Sequence, residues 1–205
     1  MSIQIDIADV ISEVGIAFTI ARMNVEVPNV TEYLTYTPNS QVTKPFVREH
    51  FLEVAYKSDT VVLPGDVITF VVSGDSYLVV NNTPDFFENE IIRYLSVLYK
   101  VNVVIDLLRP HKDFSSYNTE FSFQAVASGI PLLIYAPLFG NTSGVDFDAG
   151  AYNVSKHDMY IPVGYNAHVG DRVYIPDTSE VFQITTIIPR RFPNIDVCML
   201  SEDTR

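Results

Sequence analysis

Two stretches of this chain share one grammar 105 positions apart: Gly65–Pro84, GDVITFVVSGDSYLVVNNTP, and Gly170–Pro189, GDRVYIPDTSEVFQITTIIP. Without a gap, Gly65 and Asp66 meet Gly170 and Asp171, Tyr77 meets Phe182, Val79 meets Ile184 and Pro84 meets Pro189. The match runs on through Phe87 with Phe192, Asn89 with Asn194 and Leu95 with Leu200. Glycines, prolines and aromatics at matching points of one hairpin indicate an internal duplication, and a duplicated chain must build one supersecondary plan twice. Two units of about a hundred residues each follow, with boundaries expected at 1–102 and 103–205.

Within each copy, GD ends a loop and opens a strand (VITF, RVYI). A polar turn (SGDS, PDTSE) reverses the chain, and YLVV or FQIT returns as the antiparallel partner. Pro84 and Pro189 then predict longer loops before a last strand. IIRYLSVLYKV also fits a helical period, with Ile91, Tyr94, Leu95 and Leu98 on one face. Its counterpart IDVCMLSE reads as strand, so both copies are read as strand.

Upstream, FTIARM, which contains Arg22, aligns with VIDLLRP, which contains Arg109, each a first strand entering a polar loop. Between that strand and the GD hairpin the second copy is longer by about eighteen residues. The excess is placed within Gly129–Tyr160, making that stretch a candidate contact element. At the start, DIADVISEVG sets Ile7, Val10, Ile11 and Val14 at helical spacing with Gly15 as the stop, so one short helix is expected. The junction VLYKVNVVIDLLRP has no linker composition, and a nearly continuous, stiff connection is expected there. Apolar residues make up 47% and charged residues 19% of the chain, and 13 Phe and 12 Tyr favour pleated sheet over helix. The expected fold is therefore all-β with a short N-terminal helix.

The formal net charge of −12 repels phosphate backbones and argues against tight nucleic-acid binding. The single cysteine, Cys198, has no disulfide partner in the chain and falls in a predicted strand, where it reads as a small buried hydrophobe. The N-terminus lacks a basic, then apolar, leader, and no apolar run approaches the roughly 20 residues of a membrane helix, so a soluble protein acting in a reducing cytoplasm is expected.

Motifs for chemistry are sparse. There is no G-x-S-x-G, no P-loop and no G-x-G-x-x-G, and the four histidines show no metal-ligand spacing. Asp146 and Asp148, two apart in GVDFDAG, have carboxylates for a cation but lack the further acidic ligands of an EF-hand loop, so a solvated turn is the expectation. Arg190 and Arg191 form the one adjacent basic pair, too short for a nucleic-acid patch and suited to a protein interface. No catalytic residue, cofactor or metal is assigned, and an enzyme is not expected.

The short N-terminal helix, the first strand ending near Arg, the variable loop and then PGDVITFVVSGDSYLVV resemble the head-closure and head-to-tail joining proteins of tailed bacteriophages. The closing VGDRVYIPDTSEVFQITTIIPRRFPNIDVCMLSEDTR is more similar still. The resemblance covers Asp9–Leu98 once and Val104–Arg205 again, and the departure is the tandem arrangement, since members of that family are usually single barrels. The resemblance implies two tandem small β-barrels, SH3-like or OB-like. It further implies a homo-oligomeric ring in the neck of a virion, assembled in the host cytoplasm. A portal or adaptor protein would lie above it, a tail tube or tail-terminator protein below, and DNA would pass through a non-sticky channel with no membrane involved. A tail-terminator or other connector ring, and a tandem-barrel carbohydrate- or peptide-binding module, are the alternatives. Interface candidates come from the segments in which the copies differ, PDFFEN against PRRFPN and the inserted loop of the second copy: Pro84, Phe86 and Phe87, then Phe139, Asp146 and Asp148, then Arg190, Arg191 and Phe192.

Overall fold

A computed structural model of the chain describes residues 3–23, 31–36, 51–112, 121–135 and 157–205, with the backbone alone at Lys112, Phe121 and Arg190. Two compact units result, residues 1–101 with 192–195 and residues 102–191 with 196–205. Among the described residues, apart from one helix and a single 3-10 turn, the regular elements are strands, and they close into two six-stranded barrels. No helix among the described residues is long and apolar enough to cross a membrane.

The first unit opens with α1 (Ile3–Val14), which packs against strands of the barrel. Gly15 N–H donates to the Ile11 carbonyl at 3.0 Å, and a Cβ at Gly15 would run into that carbonyl and approach Leu34 O to 3.0 Å. Glycine is the stop because nothing larger fits. The helical spacing seen in the sequence is real, but its apolar face is narrower than that spacing suggests: Ile11 is buried, whereas Val10 and Val14 are exposed.

Strands β1 (Ile16–Ala21), β2 (Glu32–Tyr36), β3 (Phe51–Lys57), β4 (Val67–Phe70), β5 (Ser76–Val79), β6 (Thr83–Phe87) and β7 (Glu90–Lys100) follow. They run in the order β3-β2-β1-β4-β5-β7-β6, and β3 pairs with β7 to close the ring. That seam is a full ladder from Phe51↔Tyr99 to Lys57↔Arg93. Alternation along the strands turns Phe18, Leu34, Val54, Tyr56, Ile68, Tyr77 and Leu98 inward as one core. Each such side chain contributes roughly 1.5–3 kcal/mol by leaving water.

The second unit contains β8 (Val103–Lys112), β9 (Phe121–Tyr135), β10 (His157–Pro162), β11 (Arg172–Ile175), β12 (Glu180–Phe192) and β13 (Ile195–Glu202), closed in the order β10-β13-β12-β11-β8-β9. This is the ring of the first unit read in the other direction, with β8 in the place of β1 and β13 in the place of β7. Registers agree residue for residue: Val67↔Leu78 and Val67↔Ala21 become Arg172↔Gln183 and Arg172↔Leu108. Cys198 is fully buried in the core of this unit, and burial first, then Asp196 and Asp171, pushes its thiol up to about 12.

The registers also redistribute the extra length of the second copy. Equivalent residues stand 87 apart at Ile20 and Leu107, 98 apart at Tyr36 and Ile134, and 105 apart at Val54 and Met159. Eleven of the extra residues therefore fall in the β8–β9 hairpin, and only seven fall between β9 and β10. The expectation that all of them lie within Gly129–Tyr160 is corrected. The hairpin absorbs them as a long ribbon paired from Val103↔Leu132 to Lys112↔Phe121, with register shifts on either side of Leu107. Gly129, at φ +69, donates its N–H to Asp106 Oδ1 at 2.9 Å beside those shifts.

A second correction concerns the prolines. Pro84 lies in β6 opposite Tyr94, and Pro189 lies in β12, so neither begins a loop. β6 pairs only with β7 among the described residues, and a missing N–H on an edge strand leaves no ladder bond unmade.

The shared Gly-Asp is the base of each barrel. Gly65 and Gly170 take φ +91 and +94, closed to most L side chains. Gly65 N–H donates to Val79 O at 2.8 Å and Val79 N–H donates to Asp66 O at 2.9 Å, two residues against one; Gly170, Asp171 and Ile184 repeat this at the same two distances. This bulge turns the Asp side chain inward, where Asp66 and Asp171 are each 1% exposed.

Each buried carboxylate is met by an arginine of the first strand's line, Arg22 just past β1 and Arg109 within β8. Arg22 Nε and Nη2 donate to Asp66 Oδ1 and Oδ2, both at 2.7 Å, and Nη2 also donates to Val61 O at 2.8 Å. Arg109 donates to Asp171 at 3.0 and 2.9 Å and to Asn166 O at 2.8 Å. The amides of Leu63 and His168 add a third donor to each carboxylate at 2.8 Å. Hydrogen bonding to Asp66, and to Asp171, pushes each guanidinium pKa up despite burial.

Removing one partner of a buried, forked pair costs about 3–5 kcal/mol, because the other charge is left unpaired. The Arg22 side chain is 24% exposed and can turn to water, so Asp66→Ala is expected near the lower end, about 3 kcal/mol. Urea unfolding measures it, and Arg22→Met/Asp66→Leu is expected to regain most of the loss. A cost under about 1 kcal/mol for the single change would mean that the fork does not hold the barrel.

Candidate interaction surface

The residues singled out in the first unit gather on one hairpin. β6 and β7 are joined by Glu88 and Asn89, both at positive φ (49° and 68°), the pair of conformations that a tight two-residue hairpin turn requires. Asn at the second place tolerates it. The register shifts between Asp85 and Phe86, leaving Ile92 as the extra residue, and Asp85 is held by Arg93 Nε at 2.8 Å. Beyond this point the ribbon leaves the core. Phe86 is 61% exposed and Phe87 45%, two large apolar side chains beside the carboxylates of Glu88 and Glu90.

In the other copy the turn is Pro193-Asn194, with Asn194 at φ 57. Proline fixes a negative φ at the first turn position, so this hairpin uses a different turn to reach the same place. The segment 192–195 belongs to the first unit. There Phe192 stands edge-on to Tyr99 at 6.4 Å and 76°, and Asn194 Nδ2 donates to Pro64 O at 3.2 Å. Arg191 is exposed and lies close enough to Asp158 to pull its carboxyl pKa down against the larger upward push of burial. Of Arg190 only the backbone, in β12, is described; Phe139, Asp146 and Asp148 lie outside the described residues.

Two features escaped the sequence reading. The first is a groove of about 480 Å³ on the outer face of the first barrel, lined by Glu53, Ala55, Asn81, Arg93 and Leu95 among others. A hollow of about 290 Å³ beside α1 shares Thr35, Ala55 and Arg93 with it. Its outward side chains alternate with the buried Val54, but no spacing in the sequence announces that they line a depression. The second is a charged cluster in the second unit. Asp203, its side chain fully buried, receives Arg172 Nε at 2.7 Å and Arg205 Nε and Nη2 at 2.9 and 3.1 Å. The Arg172 guanidinium stacks 3.5 Å above the Phe123 ring, so the cluster ties β9, β11 and the residues after β13 together. Arg205 Nη2 also donates to Gly170 O at 3.0 Å. Burial pushes the Asp203 carboxyl up, but the hydrogen bonds from Arg205 and Arg172 together outweigh it and hold the group at about 2.

Among the described residues no group of three or more His, Cys, Asp and Glu is placed to hold a metal ion. The groove offers one carboxylate, Glu53, and one guanidinium already held by Asp85. Its polar lining, with Thr35, Asn81, Thr83 and Ser96 beside the two charges, can hydrogen-bond an extended ligand.

Two outcomes are expected. Because Phe86 and Phe87 are exposed, replacing both with Ser is expected to change thermal stability by less than about 0.5 kcal/mol, as at other surface positions. A calorimetric loss of several degrees would place them in the scaffold instead. The carboxyl of an unfolded Asp titrates near 3.9, above the folded value of Asp203, so the stabilisation is complete above about pH 4 and is lost as pH falls toward 2. Wild type is expected to lose stability over that window more steeply than Asp203→Asn, and parallel curves would contradict the assignment. Compared with protein-family profiles, curated proteins and solved structures, the chain finds no match in any of the three.

Proposed function

We propose that this chain is a structural virion protein of a tailed phage, which forms a ring between portal and tail as a head-closure or head-to-tail adaptor and carries out no reaction. The observation that carries the reading is that the Gly-Asp hairpin, on which the resemblance rests, is the base of both barrels with one fork and one register. Two small barrels so tied are stiff bodies, and exposed hairpins projecting from them suit recognition. A ring of such subunits joins one patch to a different patch on its neighbour. A net charge of −12 per subunit keeps DNA from adhering to a channel wall, by repulsion that reaches about 8–10 Å at physiological salt.

A tandem-barrel peptide-binding module is the second reading, favoured by the groove beside α1. Electron microscopy of virions made without this protein separates the two. Filled or leaking heads that lack tails are expected, and normal, stably filled, tailed particles would overturn the neck reading.

A further inference from the structure

The duplication gives the chain two versions of one hairpin tip and two versions of one seat. One tip and one seat meet within the first unit. Asn194 sits over Gly65 so closely that a Cβ on that glycine would come to 3.0 Å from Asn194 O and 3.2 Å from its Cβ. Asn194 also donates to Pro64 O, Phe192 packs on Tyr99, and Ile195 is fully buried. The absence of a side chain at Gly65 is therefore used twice, once for its positive φ and once as the floor of the seat.

The duplicate tip and seat carry the same parts. Asn89 takes the place of Asn194 with the same sign of φ, and Phe87 takes the place of Phe192. Gly170 takes the place of Gly65 at nearly the same φ, and Val169 takes the place of Pro64. Here the parts stand open: a Cβ at Gly170 would meet nothing within 4 Å among the described residues, and Val169 is 62% exposed. On the tip side, Phe86 and Phe87 are exposed as described above. Charge favours their meeting, because the tip carries Glu88 and Glu90 while at the seat two guanidiniums, Arg172 and Arg205, share the one carboxylate of Asp203, and Arg205 also bonds the Gly170 carbonyl.

We propose that the Phe86–Glu90 hairpin of one copy of this chain docks on Val169–Gly170 of a second copy, repeating between copies the contact that Phe192–Ile195 makes with Pro64–Gly65. Tip and seat are different surfaces, so the contact is head-to-tail and extends from copy to copy. The proposal rests on the ring reading above and names the surfaces that such a ring joins.

Disulfide trapping with the full chain tests it. Cys198 is buried and does not compete. Oxidation of an equimolar mixture of Asn89→Cys and Val169→Cys chains is expected to give the mixed dimer as the main product and to stop there. One chain carrying both changes is expected to give a ladder of dimers, trimers and longer species. Adding Phe86→Glu and Phe87→Glu, surface changes that spare the fold, is expected to abolish both products. Absence of the mixed dimer overturns the contact, whether or not wild type assembles by another face. A mixed dimer together with normal tailed virions in the absence of the protein would leave the contact standing and remove the neck assignment.

Discussion

Each barrel depends on a buried aspartate that cannot be left alone. The glycine before it bulges the strand and turns the carboxylate inward, and a charge so placed costs several kcal/mol unless it is paired and hydrogen-bonded. An arginine in or just past the first strand supplies two parallel bonds, and an amide three residues back supplies a third. Together they join the first strand, the loop before the Gly-Asp and the fourth strand at one point. The same three partners recur around Asp171 although Arg109 is 62 residues from it and Arg22 is 44 residues from Asp66. The geometry is kept while the chain between its parts changes length, which marks the fork as the fixed element and the intervening hairpin as the free one.

That freedom shows in what has been added. The second unit extends its first hairpin into a long ribbon and anchors Arg172 on Phe123 of that ribbon, with Asp203 buried beneath. The first unit instead carries a helix, a groove beside it and a hairpin whose tip is apolar and acidic. Scaffold and variation are therefore spatially separate: the forks and cores are common property, whereas the exposed side chains differ between copies. A protein that works by joining copies of itself to unlike neighbours needs this combination of a stiff body and unlike contact surfaces.

Much of this was legible in the sequence. The offset of 105 fixed which strands correspond, and the helix stop at Gly15 and the strand character of Glu90–Lys100 followed from glycine sterics and from the counterpart IDVCMLSE. Arg22 and Arg109 were aligned, but their partners were not legible, because a side-chain pair leaves no periodicity. Pro84 and Pro189 read as loop starts because a proline's local effect is plain, whereas the edge position that excuses Pro84 shows only in the folded sheet. The extra residues were misplaced because a gap slides freely along a stretch without identities, and strand register alone pins it. Phe86 and Phe87 stood out because they sit in PDFFEN, which differs from its counterpart PRRFPN, whereas the groove and the Asp203 cluster depend on which faces the folded strands turn to each other.

The central claim is that one Arg–Asp fork holds each barrel independently and in the same way. Amide hydrogen exchange of Leu63 and His168, the two backbone donors to the buried carboxylates, tests it most directly. Both amides are predicted to exchange slowly in the native protein. Arg22→Met is predicted to release Leu63 alone, and Arg109→Met to release His168 alone. Rapid exchange of both amides in the wild type, or release of either without regard to which arginine is changed, would contradict the account.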